Sequence, residues 1–375
     1  FVNNPATTFA GVIGGTGGNN LSLDKAGANA LTLTSASSYT GTTTIRGGSL
    51  VLQDSGAITG GGAVNVNFAT LSLLNTGLSH VANRTGTSAI NLTGGTLSYT
   101  PRTESDTTAT AGVITAAAGT STIAFAAQSG VGGSINVNAT SLAQTSANGA
   151  TLNITSATGQ IGRGLAASGG QSPQLTFTTA PTLSNNIIGG WATYNNTEFL
   201  TYLGTASASG ALGVGALGDV VSGFTDYTGT ALPAATAPTG NYRLVAAGTV
   251  PTVSGYTLNS LNVVGAFTVS TTLFTDPLFI ATGGLIKSGA TSNIGQNADF
   301  GRLAAGASGA AAGTYNLYVT TNTSPGVTIN SRIVNNGTSA LTRLVASGSG
   351  TTTLADGAST MLQNTVSTGV TQVTL

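Results

Sequence analysis

The chain has 375 residues but only 20 charged side chains, 10 of each sign, for a formal net charge of zero. It has no cysteine, one histidine, one methionine and one tryptophan, and 55 glycines. Disulfides and thiolate metal sites are therefore excluded, and the 10 Lys and Arg residues, scattered singly, offer no basic nucleic-acid surface. No apolar run approaches the ~20 residues that span a bilayer, and the start, FVNNPATTFAG, has no basic segment followed by an apolar one.

In chain order, short alternating apolar segments recur. They are LTLTS (31–35), SLVLQ (49–53), AVNVN (63–67), TLSLL (70–74), SINVN (134–138), TLNIT (151–155), QLTFT (174–178) and TYNLYVT (314–320). Each has the period-2 pattern of a strand with one buried face. Helix is disfavoured, because Thr, Ser, Asn and Gly are poor helix-interior residues.

The spacing of the strands points to a solenoid. Leu31, Leu50, Leu71, Leu92, Ile114, Ile135, Ile154 and Leu175 follow one another at a near-regular interval. A right-handed parallel β-helix gives such a period, with inward side chains stacking in aliphatic columns. At about 20 residues per coil the whole chain predicts an elongated rod of about 18 coils, roughly 85 Å long.

The composition suits that architecture. Stacked Lys or Glu would repel at every rung, whereas stacked Thr, Asn and Val do not. Asn pairs at 3–4, 19–20, 185–186, 195–196 and 335–336 fit turns that need left-handed backbone, as do the Gly-rich steps 14–18, 60–62 and 130–133. The reading divides the chain into solenoid coils over 1–186, an irregular aromatic and Gly/Ala-rich excursion over 187–245, and further coils over 246–375.

The segment GGNNLSLDKAGANALTLTSASSYTGTTTIRGGSLVL (17–52) resembles the autotransporter-associated beta strand repeat. The positions that carry the resemblance are Leu23, Lys25, Gly27, Leu31, Thr32, Leu33, Tyr39, Thr40, Gly41, Thr43, Thr44, Ile45, Gly47, Gly48 and Leu50. Further blocks at 187–202, 259–265, 283–289 and 331–357 look like the long repeat of very large bacterial surface proteins of that group. LTRLVASGSGTTTLA (341–355) echoes LSLDKAGANALTLTS (21–35), without the Tyr-Thr-Gly that follows the first copy. The resemblance implies a parallel β-helical passenger-type region, secreted and displayed at the bacterial cell surface, and no activity. The outer-membrane barrel of an autotransporter has no counterpart in this sequence.

Candidate chemistry is sparse. The carboxylates nearest to His80 along the chain are Asp54 and Glu104, too distant for a local pair, and it reads as a loop histidine. A carbohydrate-active site needs paired carboxylates, and only Glu104 and Asp106 are close, beside Arg102 in what reads as a solvated loop; Asp54 and Asp106 could meet across coils. GGTGG lacks the Lys-Ser/Thr of a phosphate loop, and the Asp of calcium-binding nonapeptides is missing. No catalytic residue, cofactor or metal is expected.

Trp191, Tyr194 and Phe199 are the candidate partner-binding residues. As a group they would make a sugar-stacking platform, or else they pack over one face of the coils. The first functional reading is a structural extracellular solenoid, without enzyme activity, that builds a fibre, stalk or surface layer by end-to-end stacking of copies. The bare alternating strand VTQVTL and the uncapped FVNN start motivate that stacking. An adhesin binding glycan or host surface is the second reading, and a polysaccharide-active enzyme the third.

Overall fold

The computed structural model describes residues 5–15, 20–102, 106–126, 135–158, 161–162, 172–208, 210–271, 277–297, 301–322 and 326–355. Asn19, Glu104, the steps at 16–18 and 130–133, and both chain ends lie outside them. Among the described residues there is no α-helix, and the fold is a parallel β-solenoid. It forms two compact units: Phe1–Thr182 with Thr201–Phe224, and Leu183–Leu200 with Thr225–Leu375.

In the first unit, one sheet runs Thr7–Phe9, Ala30–Leu33, Ser49–Leu52, Thr70–Leu74, Thr96–Thr100, Thr120–Phe125, Thr151–Ser156. The second runs Leu23–Lys25, Thr43–Ile45, Val64–Asn67, Ile90–Thr93, Thr107–Ala118, Ile135–Gln144, Gln174–Phe177. Strands of the two sheets alternate along the chain, and neighbours within each sheet pair in parallel. This is the connectivity of stacked coils.

Register places like residues above one another. Leu31, Leu50, Leu71, Leu97, Ile123 and Ile154 form one core column. Ile45, Val66, Leu92 and Ala116 form another on the opposite sheet. Of the expected ladder, Leu31, Leu50, Leu71 and Ile154 share this column. Leu92 and Ile114 belong to the opposite wall, because the coils lengthen: the step from Ile123 to Ile154 is far longer than the step from Leu31 to Leu50. Each coil carries two alternating strands, so a fixed step slips from one wall to the other.

The segment Thr201–Phe224 lies on the last described coil of this unit. Leu212 N–H donates to Gly162 O at 2.9 Å, and Gly162 N–H to Pro173 O at 2.7 Å. The Phe224 ring lies over Gly162 and Gly215, where a Cβ would meet its Cζ.

The second unit repeats the arrangement. Its main sheet runs Ala237–Leu244, Thr257–Val264, Pro277–Ser288, Arg302–Ala305, Arg332–Ile333. Gly313–Thr321 pairs with the second half of Pro277–Ser288 and then with Ala340–Gly348. The facing sheet runs Gly248–Val250, Thr268–Thr271, Ser292–Ile294, Val327–Ile329, Thr352–Leu354. All these pairs are parallel. Tyr242, Leu261, Leu285 and Val319 stack through the core.

Left-handed backbone falls mainly on glycine and asparagine. Coil corners use Gly48, Gly94, Gly119 and Gly149, with φ between 58° and 64°. Asn185–Asn186 (φ 49° and 72°) and Asn195–Asn196 (49° and 56°) instead make tight antiparallel turns. Two consecutive positive φ angles are the mark of a type I′ turn, for which Asn is suited. The pair 335–336 departs from expectation: neither Asn has positive φ, and Gly337 takes that role at 95°. Phe68 stands where neighbouring coils have glycine, at φ 49° and with 77% of its surface exposed.

Candidate functional site

Two places concentrate polar chemistry. The first is the coil around Lys25. The Leu23–Lys25 strand alternates so that Lys25 points inward, at the foot of the column that continues with Ile45 and Val66. Its ammonium is fully buried and donates to Ala26 O (3.0 Å), Gly27 O (2.9 Å) and Gly47 O (2.9 Å). A buried ammonium needs such partners. Burial lowers its pKa from the ordinary 10.5.

The neighbours of Lys25 serve this corner. Gly27, with φ 85°, turns the chain so that its carbonyl meets the ammonium of the residue two before it. Gly47 lies against Gly27, where an added Cβ would be 3.1 Å from the Gly27 carbonyl. Tyr39 fills the core and its hydroxyl pairs with Thr43 Oγ1 at 2.6 Å. Outside, Arg46 Nε meets both oxygens of Asp24 at 3.0 and 3.1 Å. The pattern recurs as LIKSG (285–289): Lys287 is buried, its Nζ donates to Ser288 O, and Gly289 has φ 75°.

The second place is the outer face of the second unit, covered by Leu183–Leu200, here called the clasp. Thr193 pairs with Phe199 and Tyr194 with Glu198 in an antiparallel hairpin. Asn185 Nδ2 donates to Asn259 Oδ1 (2.9 Å), Asn259 Nδ2 to Ser184 O (3.1 Å) and to Asn241 Oδ1 (2.7 Å), and Asn241 Nδ2 to Asn185 O (2.6 Å). At the other end Asn262 Nδ2 donates to Thr197 O (2.8 Å) and to Glu198 Oε2 (2.9 Å). The Tyr227 hydroxyl donates to the same oxygen at 2.7 Å, and Arg243 Nη2 lies 3.3 Å from Glu198 Oε1. Between these ends Gly190 and Gly284 touch backbone to backbone, with no room for a Cβ on either.

Burial raises the Glu198 carboxyl above its ordinary value, opposed by Tyr227, Arg243 and Asn262, which favour the anion. The Tyr227 hydroxyl is pushed well up by burial and by Glu198. Asn262 Oδ1 and Arg243 Nε have no hydrogen-bond partner among the described residues. With one carboxylate, the cluster has neither the acid/base pair of a glycosidase nor a multidentate metal set. What it does is fasten the clasp.

Of the three aromatic candidates, Phe199 is fully buried, its ring over Gly284, and Tyr194 is buried. Trp191 is half-buried, its indole lying over Gly189. All three lie on the clasp, and of their rings only that of Trp191 is partly open to solvent. His80 is exposed and its Nε2 pairs with Thr108 O at 3.0 Å. Asp54 Oδ1 accepts from Leu78 N–H at 2.6 Å. Among the described residues no three of His, Cys, Asp and Glu cluster as metal ligands.

Sequence reading missed the Glu198, Tyr227, Arg243 and Asn262 cluster. One signal was available: the blocks 187–202, 259–265 and 283–289, quoted separately as parts of one long repeat, meet here.

Fold and sites together define a parallel β-solenoid, held by backbone ladders, buried corner lysines and an asparagine-rich clasp. Comparison with known families adds that residues 23–52 match the passenger-associated-transport-repeat, which points to a secreted passenger region and is not a family of enzymes. The match begins at Leu23, two residues before the buried lysine, and ends at Leu52, so it coincides with the Lys25 coil and the coil stacked on it. No curated protein and no solved structure matches the chain.

Proposed function

We propose that the protein is a structural passenger-type β-solenoid, displayed outside the bacterial cell, that builds a stalk, fibre or layer by joining copies end to end. The observation that carries this reading is the passenger-associated repeat at 23–52 forming regular coils of a parallel ladder. Such a ladder gains stability by stacking, and with charges at 5% of residues little electrostatic repulsion keeps copies apart. Two measurements test it. Labelling of intact cells should reach the protein from outside, and purified protein should form rods or filaments by electron microscopy. A protein confined to the cell interior, or monomeric at high concentration, would refute the corresponding part.

A second reading, adhesion to glycan, is supported by the Trp191 indole, the one ring of the three aromatic candidates with solvent access. Retention on a glycan array that is lost in Trp191→Ala would support it. A wild-type protein retained by no glycan would end it.

A further inference from the structure

One corner of the first unit carries a side chain that the fold does not need. Phe68 has φ 49°, and the residues stacked on it in the next two coils are Gly94 (58°) and Gly119 (62°). The corner closes in the same way with either residue: Phe68 N–H donates to Thr93 O at 2.9 Å, and Gly94 N–H to Ala118 O at 2.8 Å. The backbone therefore gains nothing from a side chain here, and a bulky one strains it. Nor does the ring fill the core. It lies outside, 77% exposed, with one edge where a Cβ of Gly94 would stand. A strained residue that contributes nothing to packing points to function.

We propose that Phe68 is a glycan-stacking residue, whose open ring face takes the C–H face of one uncharged pyranose of a polysaccharide. The negative face of an aromatic ring suits the slightly positive C–H groups of a sugar. The ring stands alone, because the corners on either side of it are Gly47–Gly48 and Gly94–Gly95. One ring is far short of the several hundred Å² that a protein or lipid contact needs, but it covers one sugar. Its flanks are polar. Asn67 precedes it on the outward side of its strand and pairs in register with Thr93, so an amide and a hydroxyl are at hand for sugar hydroxyls. Arg46 follows Ile45, the partner of Val66, and is neutralised by Asp24, which leaves this edge without net charge. The corner bond to Thr93 holds the ring in place before a ligand arrives, so little freedom is lost on binding.

The coil that bears Phe68 stacks directly on the passenger-associated repeat. The inference deepens the adhesion reading by naming a ring that carries it and the class of sugar it takes, and it rests on that reading.

The test uses the fact that glycine suits this backbone: Phe68→Gly removes the ring from a protein that stays folded. Full-length protein is coupled to fluorescent beads, which supply the avidity that one weak site lacks, and applied to an array of neutral and acidic oligosaccharides. Wild type should be retained by neutral hexose or N-acetylhexosamine glycans. Phe68→Gly should lose at least tenfold of that retention while its Tm is equal or higher. Phe68→Trp should keep it, and Phe68→Leu, apolar but ringless, should not. Equal retention of wild type and Phe68→Gly, or retention of wild type by acidic glycans alone, overturns the proposal and leaves adhesion standing, with Trp191→Ala then showing whether the clasp carries it. Retention of wild type by no glycan ends both.

Discussion

Lys25→Met asks whether the buried ammonium holds the coil corner or merely survives there. Methionine keeps most of the stem and removes the three donors to Ala26 O, Gly27 O and Gly47 O, at 2.9 to 3.0 Å. Hydrogen bonds from a charged group contribute about 1.5–3 kcal/mol each, and a stranded buried acceptor costs about 1–3 kcal/mol. Two effects reduce the sum. Water reaches the corner, since Ala26, Gly27 and Gly47 are only partly buried. The wild type also bears the cost of burying the ammonium. The expected net loss is about 2 kcal/mol, read by urea unfolding. Hydrogen exchange should localise the loss to amides within 23–52, because a solenoid communicates between neighbouring rungs. A pH signature accompanies it. Burial lowers the Lys25 pKa below 10.5, so the unfolded chain holds this proton more tightly, and wild-type stability gains relative to the variant as pH rises towards 10.5. Arginine should not restore the corner, because its planar fork cannot converge on three carbonyls. If Lys25→Met is as stable as wild type, or its loss is spread evenly over the chain, the corner argument is wrong.

Leu71→Ala opens a hole between Leu50 and Leu97 and should cost about 3 kcal/mol, with exchange protection falling in the first unit and unchanged in Thr257–Val264. Phe68→Gly should stabilise by about 1 kcal/mol, read as a rise in Tm, because it relieves a bulky residue at φ 49° while sacrificing a mostly exposed ring. Glu198→Gln tests the clasp electrostatics. Burial raises this carboxyl above 4.5, so the folded chain holds the proton more tightly and the contribution of Glu198 to stability falls as pH rises from about 4.5 through the folded value. Thermal unfolding of the variant should lack that slope above pH 4.5.

The parallel solenoid was legible in the sequence because strand alternation and uncharged composition are properties of residues in isolation. The repeat at 23–52 could be matched position by position, and its glycines, Tyr39 and inward leucines all find physical roles in the coil. The column above Leu71 was not legible. Which of two alternating strands stacks on it depends on the length of the intervening corner, and the coils lengthen between Leu31 and Ile154. Phe68 in a glycine's place was invisible for the same reason, since its backbone angle is imposed by coils above and below.

The clasp separates the two kinds of information most clearly. The sequence by itself determined its turns, because Asn-Asn favours left-handed backbone, and set its glycines, aromatics and carboxylate in order. Only the tertiary structure decided that Glu198 would meet Tyr227, Arg243 and Asn262, all distant along the chain, and that Phe199 would be buried instead of displayed. Local preferences follow from the chemistry of one residue and its neighbours. Contacts of that range depend on which surface of a finished stack is left for a returning segment to cover.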